Sequence, residues 1–264
     1  MPRPTSRFYH RHQASRTITV DLPTFPTYQP YPGSGPLREN LDVSLANLRG
    51  ILSDHGRDMV YAYVMTSVET KDGAFLQCGC GPNFQGGEIT ICTCMAQMRT
   101  FGNVKPGVWV SGFTSVDGTS KGNGLFYLTQ IHDSAVSQYD LWNKLPPGVR
   151  MAKAAHLDPY GDVFEPTVSF ENPGDLAAFD TGNYKRPIKG HVHATERHPN
   201  RWHFDVDYVG RQTGRRQAFL IGDSTMTFIW TRPLIYFNGS PGERHPRSKK
   251  RDIRGLLEVL ATLP

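Results

Sequence analysis

The sequence has few cysteines and no long apolar run. All four cysteines lie between positions 78 and 94, and no stretch approaches the roughly 20 apolar residues of a transmembrane helix. The first residues are basic and proline-rich, unlike the apolar centre of a signal peptide. We therefore expect a cytoplasmic protein without a membrane span, in which the cysteines are reduced thiols or metal ligands.

The first 20 positions contain no acidic residue, and basic residues are concentrated near both ends of the chain. Four arginines precede the first acid, Asp21. Six basic residues crowd one later segment: Arg244, Arg247, Lys249, Lys250, Arg251 and Arg254. Such clusters suit a polyanion, because phosphate neutralisation supplies most of the sequence-independent affinity for nucleic acid. We expect nucleic acid or a nucleotide as partner; the alternative is a solvated tail and a solvated helix start.

Prolines divide the chain into an arm and a domain. Seven prolines between positions 2 and 36 break any regular element, while five aromatic residues in the same segment suit contact with a surface. We therefore expect a proline-rich basic arm over 1–36 that is partly ordered. Residues 37–264 are expected to form a single α+β domain, which is long enough to bury a core without disulfides.

Hydrophobic periodicity predicts the elements of this domain. Leucines at helical spacing predict one amphipathic helix over 37–53, and the run 59–68, apolar on both faces, predicts a central strand. Pro146-Pro147-Gly148 is predicted to close a helix that begins over 137–142. The remaining predictions are strands over 88–95, 108–111, 125–131, 217–221 and 225–231 and a C-terminal helix over 253–263.

Residues 189–209 alternate between apolar and polar positions on both sides of His198-Pro199-Asn200. This period of two predicts a β-hairpin. His203 and Asp205, with the distant His245, imitate the two-histidine, one-carboxylate iron site of 2-oxoglutarate oxygenases. A metal-dependent base-modifying oxygenase that uses these three residues is therefore an alternative function. The other interpretation is a solvated His/Asp face with cross-strand pairs.

The stretch from Cys78 to Gly112 combines a glycine loop, a strand and a turn before a tryptophan. Glycines at 79, 81, 86 and 87 allow a backbone that can approach a flat ligand closely. Lys105-Pro106-Gly107 predicts a turn into the strand that carries Trp109. This composition is typical of a binding loop.

The four cysteines form two Cys-x-Cys pairs. Residues i and i+2 of a flat strand lie about 7 Å apart, which is too far for tetrahedral thiolate ligands unless the backbone bends. We therefore expect buried thiols and no cofactor. Structural zinc is the alternative, with these ligands: Cys78, Cys80, Cys92 and Cys94.

Short motifs occur here in a fixed order: Tyr61-Ala62-Tyr63-Val64, Gly81-Pro82-Asn83, Thr90-x-x-Thr93-Cys94, Arg99, Gly107-x-Trp109-Val110-x-Gly112, Tyr139-x-x-Trp142 and Gly161-Asp162. In this order and spacing, residues 59–165 resemble the second type of nucleotide modification associated domain, a family associated with DNA-base-modification systems. Tyr236-Phe237 and Gly242-x-x-His245 resemble its closing motifs. The sequence departs from the family pattern at four positions: Phe84, Ile89, Val108 and Val163.

The resemblance implies a nucleic-acid modification or defence context, and it draws attention to Cys94, Asp162 and His245 as catalytic candidates. The turn before Trp109, beside a tyrosine-bearing strand, is also similar to the small base-binding barrels of the PUA, EVE and YTH group. That likeness implies an α+β fold with a mostly antiparallel, partly closed, PUA-like sheet, flanking helices and a C-terminal helix.

A bound base needs flat apolar faces for stacking and a few polar groups for its edge. The candidates for base contacts are Tyr61, Tyr63, Asn83, Phe84, Thr90 and Trp109; those for phosphates are Arg99, Lys249, Lys250 and Arg251. The alternative is that the aromatic residues are core. We expect a protein that binds or modifies nucleotides or modified bases in nucleic acid, with binder and enzyme both open. Another alternative is a non-catalytic protein-interaction subunit.

Overall fold

The computed structural model describes residues 35–65, 68–77, 81–91, 105–114, 122–155, 162–186, 202–211, 219–233, 235–237 and 249–261. The strands are β1 Met59–Met65, β2 Val68–Lys71, β3 Ala74–Gln77, β4 Thr90–Ile91, β5 Trp109–Thr114, β6 Asn123–Ala135, β7 Phe219–Ile229, β8 Tyr236–Phe237 and β9 Lys249–Asp252. The α-helices are α1 Pro36–Glu39, α2 Leu45–Ile51, α3 Gln138–Lys144, α4 Pro147–Ala155, α5 His203–Arg211 and α6 Ile253–Ala261. Predictions outside the described residues concern 1–34, the four cysteines, Arg99 and His245.

One sheet of seven strands organises the fold, in the order β4-β7-β6-β5-β1-β9, with β8 on the first residues of β6. The pair β1 and β5 is parallel and the other pairs are antiparallel. Register shifts after Gly112 in β5 and between Thr129 and Asp133 in β6 are irregularities of the kind that bends a sheet. An α+β domain with a partly closed, mostly antiparallel sheet is confirmed.

The core lies where the sequence is apolar on both faces of a strand. β1 runs between β5 and β9, so its prediction as an interior strand is confirmed. Val60, Tyr61, Tyr63 and Met65 are all buried there. A second apolar cluster joins α3 to the first residues of β7, through contacts among Leu141, Trp142, Val163, Phe179, Phe219 and Ile221.

The single helix predicted over 37–53 is wrong, because two short helices replace it. Asp42 interrupts them with a left-handed backbone, φ +57°, and its carboxylate accepts hydrogen bonds from Thr231 N at 2.7 Å and Thr231 Oγ1 at 2.8 Å. Ser44 then caps α2 by accepting from Asn47 N. Aspartate and serine side chains favour such local bonds over a helix interior, and here they fix the chain to the end of β7.

The β-hairpin predicted over 189–209 is also wrong in its described part, since residues 203–211 form α5. Trp202 and Val206, four apart, are buried, whereas Phe204 is 46 % exposed. The Trp202 ring stacks on Phe164 with centroids 5.5 Å apart. Apolar residues at 202 and 206 fit a helix as well as a strand, and tertiary packing decides between them. Residues 187–201 lie outside the described part.

Two smaller interpretations need correction. The strands expected over 217–221 and 225–231 are one strand, β7. The helix predicted to end before Pro146-Pro147-Gly148 does end there, at Lys144; Pro147 also begins α4, because a proline at the first helical position loses no hydrogen bond. The basic run over 249–251 is not a helix start but β9, paired with β1, and α6 begins after it at Ile253. No helix among the described residues is long and apolar enough to cross a membrane.

Candidate functional site

The glycine loop folds back on itself before it joins the sheet. Asn83 and Thr90 exchange two backbone hydrogen bonds, at 2.9 and 2.7 Å. Between them, Gly86 and Gly87 have φ values of +77° and +84°, which non-glycine residues rarely adopt. β4 then pairs with β7. The glycines therefore let the loop close on a buried polar floor.

That floor contains a buried carboxylate. Thr90 Oγ1 donates to Asp162, at 3.0 Å from Oδ1 and 3.2 Å from Oδ2. Gln138 Nε2 donates to the Asp162 carbonyl oxygen at 2.8 Å. All three residues are almost fully buried, so their polar groups depend on one another for hydrogen bonds.

Lys153 of α4 supplies a cation to the same floor. Its side chain is 0 % exposed, and Nζ donates to the carbonyl oxygens of Asn83 at 2.9 Å and Glu88 at 2.7 Å. Burial lowers the pKa of Lys153 to about 8, against the opposing effect of the Asp162 and Glu88 carboxylates. Burial also raises the pKa of Glu88, with His132 and Lys153 opposing it. We name this group the loop cluster: Asn83, Glu88, Thr90, Lys153 and Asp162.

The structure brings together three of the residues that the sequence singled out: Asn83, Thr90 and Asp162. It adds Lys153, which sequence reasoning missed. A lysine near the end of an alanine-rich helix ordinarily faces solvent, and no local pattern marks this one as buried. Its location follows only from the packing of α4 against the glycine loop, where Gly86 approaches Val149.

The aromatic residues predicted to stack on a base lie in the core. Trp109 is 0 % and Phe84 1 % exposed, and Tyr61 and Tyr63 are buried. Trp109 stacks on Phe228 at 6.5 Å, meets the edge of His55, and donates from Nε1 to Asp58 Oδ2 at 3.2 Å. The Tyr63 hydroxyl is 2.8 Å from that of Tyr127. Protein groups thus contact these rings, and a stacking role for them stays a prediction.

The iron site of the alternative function loses its structural basis. His203 and Asp205 lie on α5, two residues apart, so they project about 200° apart around the helix axis. Asp205 is buried and His203 packs against Trp202, while His245 lies outside the described residues. Among the residues that the structure describes, no three His, Cys, Asp or Glu side chains are placed to hold a metal ion.

A polar cleft of about 330 Å³ opens beside α3. We name it the α3 cleft, and it is lined by Tyr139, Trp142, Asn143, Pro166, Thr167, Val168 and Ser169. The Tyr139 ring meets Phe170 edge-on at 4.8 Å. Hydrogen bonds with the Phe170 backbone, and next with the Asn143 side chain, lower the pKa of Tyr139. The Arg150 guanidinium lies 5.3 Å from the Trp142 ring centroid.

Gln138 connects the α3 cleft to the loop cluster. Its amide donates to the carbonyl oxygens of Asp162 and Asp205, and its Oε1 accepts from Phe164 N at 3.2 Å. Segment 162–166 is thereby fixed to α3, with Asp162 in the loop cluster and Pro166 in the cleft wall. One buried amide therefore sets the position of both sites.

The α3 cleft combines aromatic side chains with amide and hydroxyl groups and contains no carboxylate. Such a lining suits a flat ligand with hydrogen-bonding edges. The loop cluster is enclosed and suits a supporting role, because its cation already donates to two carbonyl oxygens. No protein-family model, no curated protein and no solved structure matches this chain.

Proposed function

We propose that this protein binds nucleotides or modified bases in nucleic acid, and that the α3 cleft receives the base. The observation that supports this most is the lining of the cleft. The half-buried Tyr139 offers aromatic surface, Trp142 is mostly buried next to it, and Asn143, Thr167 and Ser169 offer donors and acceptors. Recognition of an unstacked base uses these two kinds of group.

The size and polarity of the cleft narrow the ligand class. Its volume of about 330 Å³ lies at the lower end of the range of roughly 300–1,000 Å³ for ligand pockets. A single base with its sugar suits this volume better than a large apolar ligand. An asparagine amide can donate and accept at once, as a base edge requires.

The sequence supports the same partner class independently. Tyr139-x-x-Trp142 and Gly161-Asp162 are among the motifs that resemble the nucleotide modification associated domain. The first motif supplies two cleft residues, and the second supplies the carboxylate that Thr90 holds. The resemblance thus favours a nucleic-acid modification or defence context for the cleft.

We propose recognition of the base as the role of the cleft, with the loop cluster as its support. Lys153 is enclosed, and its ammonium bonds to main-chain carbonyl oxygens. These contacts fix the conformation of the glycine loop. Gln138 bonds to Asp162 and Phe164, so segment 162–166 holds the cleft wall in a fixed position relative to that loop. In this proposal the buried charge positions the site and the cleft contacts the ligand.

The experiment compares Tyr139→Ala, Tyr139→Phe and Asn143→Ala with a control, Leu176→Ala, whose side chain is 86 % exposed. Fluorescence anisotropy measures binding to labelled single-stranded oligonucleotides with plain or modified bases. Loss of one stacking contact, worth about 1–3 kcal/mol, predicts a drop of roughly 10- to 100-fold for Tyr139→Ala. Leu176→Ala should bind as the parent does. Unchanged affinity and discrimination in folded Tyr139→Ala and Asn143→Ala would exclude the cleft as the base site.

A further inference from the structure

A groove of about 250 Å³ lies on another part of the molecule, between α2 and α6. Buried Leu52 and Leu257 border the groove, and the rest of its lining consists of Arg49, Ser53, Gly56, Arg254 and Glu258. Arg49 and Arg254 are exposed and come from distant parts of the sequence. Packing of α6 against β9 and β1 brings them to one groove.

Neither arginine forms an ion pair with another described residue. The ion pairs found among these residues involve His55, Lys144 and Lys185, and neither groove arginine is among them. Two nearby carboxylates have other partners: Asp58 accepts from His55 and Trp109, and Asp252 accepts from Gly255 N. Glu258 is the acidic residue among the groove's lining. The groove therefore presents positive charge for an external anion.

Gly56 helps to position the Arg254 guanidinium. A Cβ atom at Gly56 would lie 3.1 Å from Arg254 Nη2, and Arg254 N donates to the Gly56 carbonyl oxygen. The guanidinium thus packs against bare main chain. A guanidinium held in this way keeps its fork of N–H donors, the geometry that matches phosphate oxygens.

The basic strand β9 immediately precedes α6. Lys249, Lys250 and Arg251 pair with Ala62, Tyr61 and Val60 of β1, and within the described residues β9 has no strand on its other side. Its basic residues therefore occupy an edge strand, three to five positions before Arg254. The chain thus runs from the edge strand β9 directly into the helix that carries Arg254.

We propose that the groove of Arg49 and Arg254 binds the phosphodiester backbone of a single-stranded nucleic acid. This inference rests on the proposed function, because a base in the α3 cleft must be unstacked and its strand therefore locally single. Arginine and lysine contacts to phosphates fix a strand in place without reading its sequence. The apolar stems of the two exposed arginines suit the sugars between phosphates.

The test replaces both groove arginines by glutamine, Arg49→Gln with Arg254→Gln, which keeps most of each stem. The control is Arg38→Gln with Arg232→Gln, an equal loss of charge at exposed sites beside β7, four strands from β9. Anisotropy of a labelled single-stranded oligonucleotide gives the binding constant as a function of KCl concentration. Poly-glutamate is the competitor that represents an acidic protein partner.

The groove variant should lose two phosphate contacts. Each phosphate contact on a single strand contributes about 0.7 to the steepness of log K against log salt, so the variant's plot should be shallower by about 1.4. The variant's loss of affinity relative to the parent should therefore be about 25-fold larger at 0.1 M salt than at 1 M salt. The control should keep the parent slope. A groove variant whose slope equals that of the parent or of the control would overturn the inference, as would competition by poly-glutamate that matches the oligonucleotide charge for charge.

The two proposals fail separately. If Tyr139→Ala abolishes discrimination among bases while the groove variant keeps the parent slope, the groove inference is wrong and the proposed function stands. If the groove variant makes the salt dependence shallower while Tyr139→Ala has no effect, the groove binds the phosphate backbone and the base site lies elsewhere. A parent protein that binds no oligonucleotide at low salt contradicts both.

Discussion

Thr90 Oγ1 donates to both carboxylate oxygens of Asp162, 72 positions further along the chain, at 3.0 and 3.2 Å. The bond joins β4, next to the glycine loop, to the segment that leads into the α3 cleft. Because both side chains are buried, water cannot replace either partner. This pair therefore anchors the start of segment 162–166 inside the loop cluster, and Gln138 fixes the same segment to α3.

Thr90→Val should destabilise the protein by about 1.5–3 kcal/mol, because a buried hydrogen bond to a charged group is lost while the shape of the side chain is kept. The matched control is Thr225→Val. Thr225 Oγ1 donates to Asp223 at 2.6 Å on the exposed surface, where such a change costs within about 0.5 kcal/mol. Urea unfolding measures both; equal effects of the two changes would contradict the role given to the buried pair.

Gly86→Ala should destabilise more than Gly87→Ala. Both positions have positive φ, so both variants suffer the same backbone strain of about 1–2 kcal/mol. Only at Gly86 would the new Cβ meet a neighbour, Val149 Cα of α4 at 2.7 Å. The difference, about 1–3 kcal/mol for overpacking, measures the contact between loop and α4 in urea unfolding. Equal losses of stability in the two variants would show that α4 shifts to accommodate the new Cβ at no cost in free energy.

Stability should rise with pH above about pH 8 because of Lys153. Its pKa is lowered from 10.5 to about 8 by burial, so below pH 8 the folded and unfolded states both carry the proton. Between pH 8 and 10.5 only the unfolded state does, and stability then increases with pH. The gain is roughly 3 kcal/mol over this window.

The comparison for this prediction is Lys153→Met, a variant with no titratable group at this position. The difference in unfolding free energy between parent and variant, measured in urea from pH 7 to pH 10, should be flat to pH 8 and grow above it in favour of the parent. Other titrating groups cancel in the difference. A flat difference up to pH 10 would mean that the ammonium is not disfavoured in the folded protein.

Trp109→Phe should destabilise the fold by about 1–3 kcal/mol, because the indole donor to Asp58 is lost. A double-mutant cycle with Asp58→Ala, which removes the acceptor, isolates that bond, and its coupling energy should be about 0.5–3 kcal/mol. The folded variant should keep its discrimination among bases, since Trp109 packs in the core. Loss of discrimination in folded Trp109→Phe would instead place this ring in the base site, as the sequence predicts.

Local patterns in the sequence were sufficient to predict much of the fold. The apolar run of β1 predicted an interior strand because residues buried on both faces must be apolar along the whole strand. Helical periodicity predicted α6, and the turn at Lys105-Pro106-Gly107 preceded β5 as expected. These elements are recognisable because their burial follows from neighbours in sequence.

The motif order also singled out Asn83, Thr90 and Asp162, which the structure places in one cluster. It did not indicate Lys153, since nothing near that lysine distinguishes it from a solvated one. The pKa of a lysine depends on what surrounds its ammonium, and here that is a loop 65 to 70 positions away.

The sequence by itself determined the fold class, the interior strand and the identity of three residues in the loop cluster. The tertiary structure decided that residues 203–211 form a helix, that Asp42 divides α1 from α2, and that Lys153 is buried. In each of these cases the deciding contact, Trp202 on Phe164, Asp42 with Thr231 or Lys153 with the loop, joins residues far apart in sequence. Short-range periodicity carries no information about such contacts, because they form only when the whole chain packs.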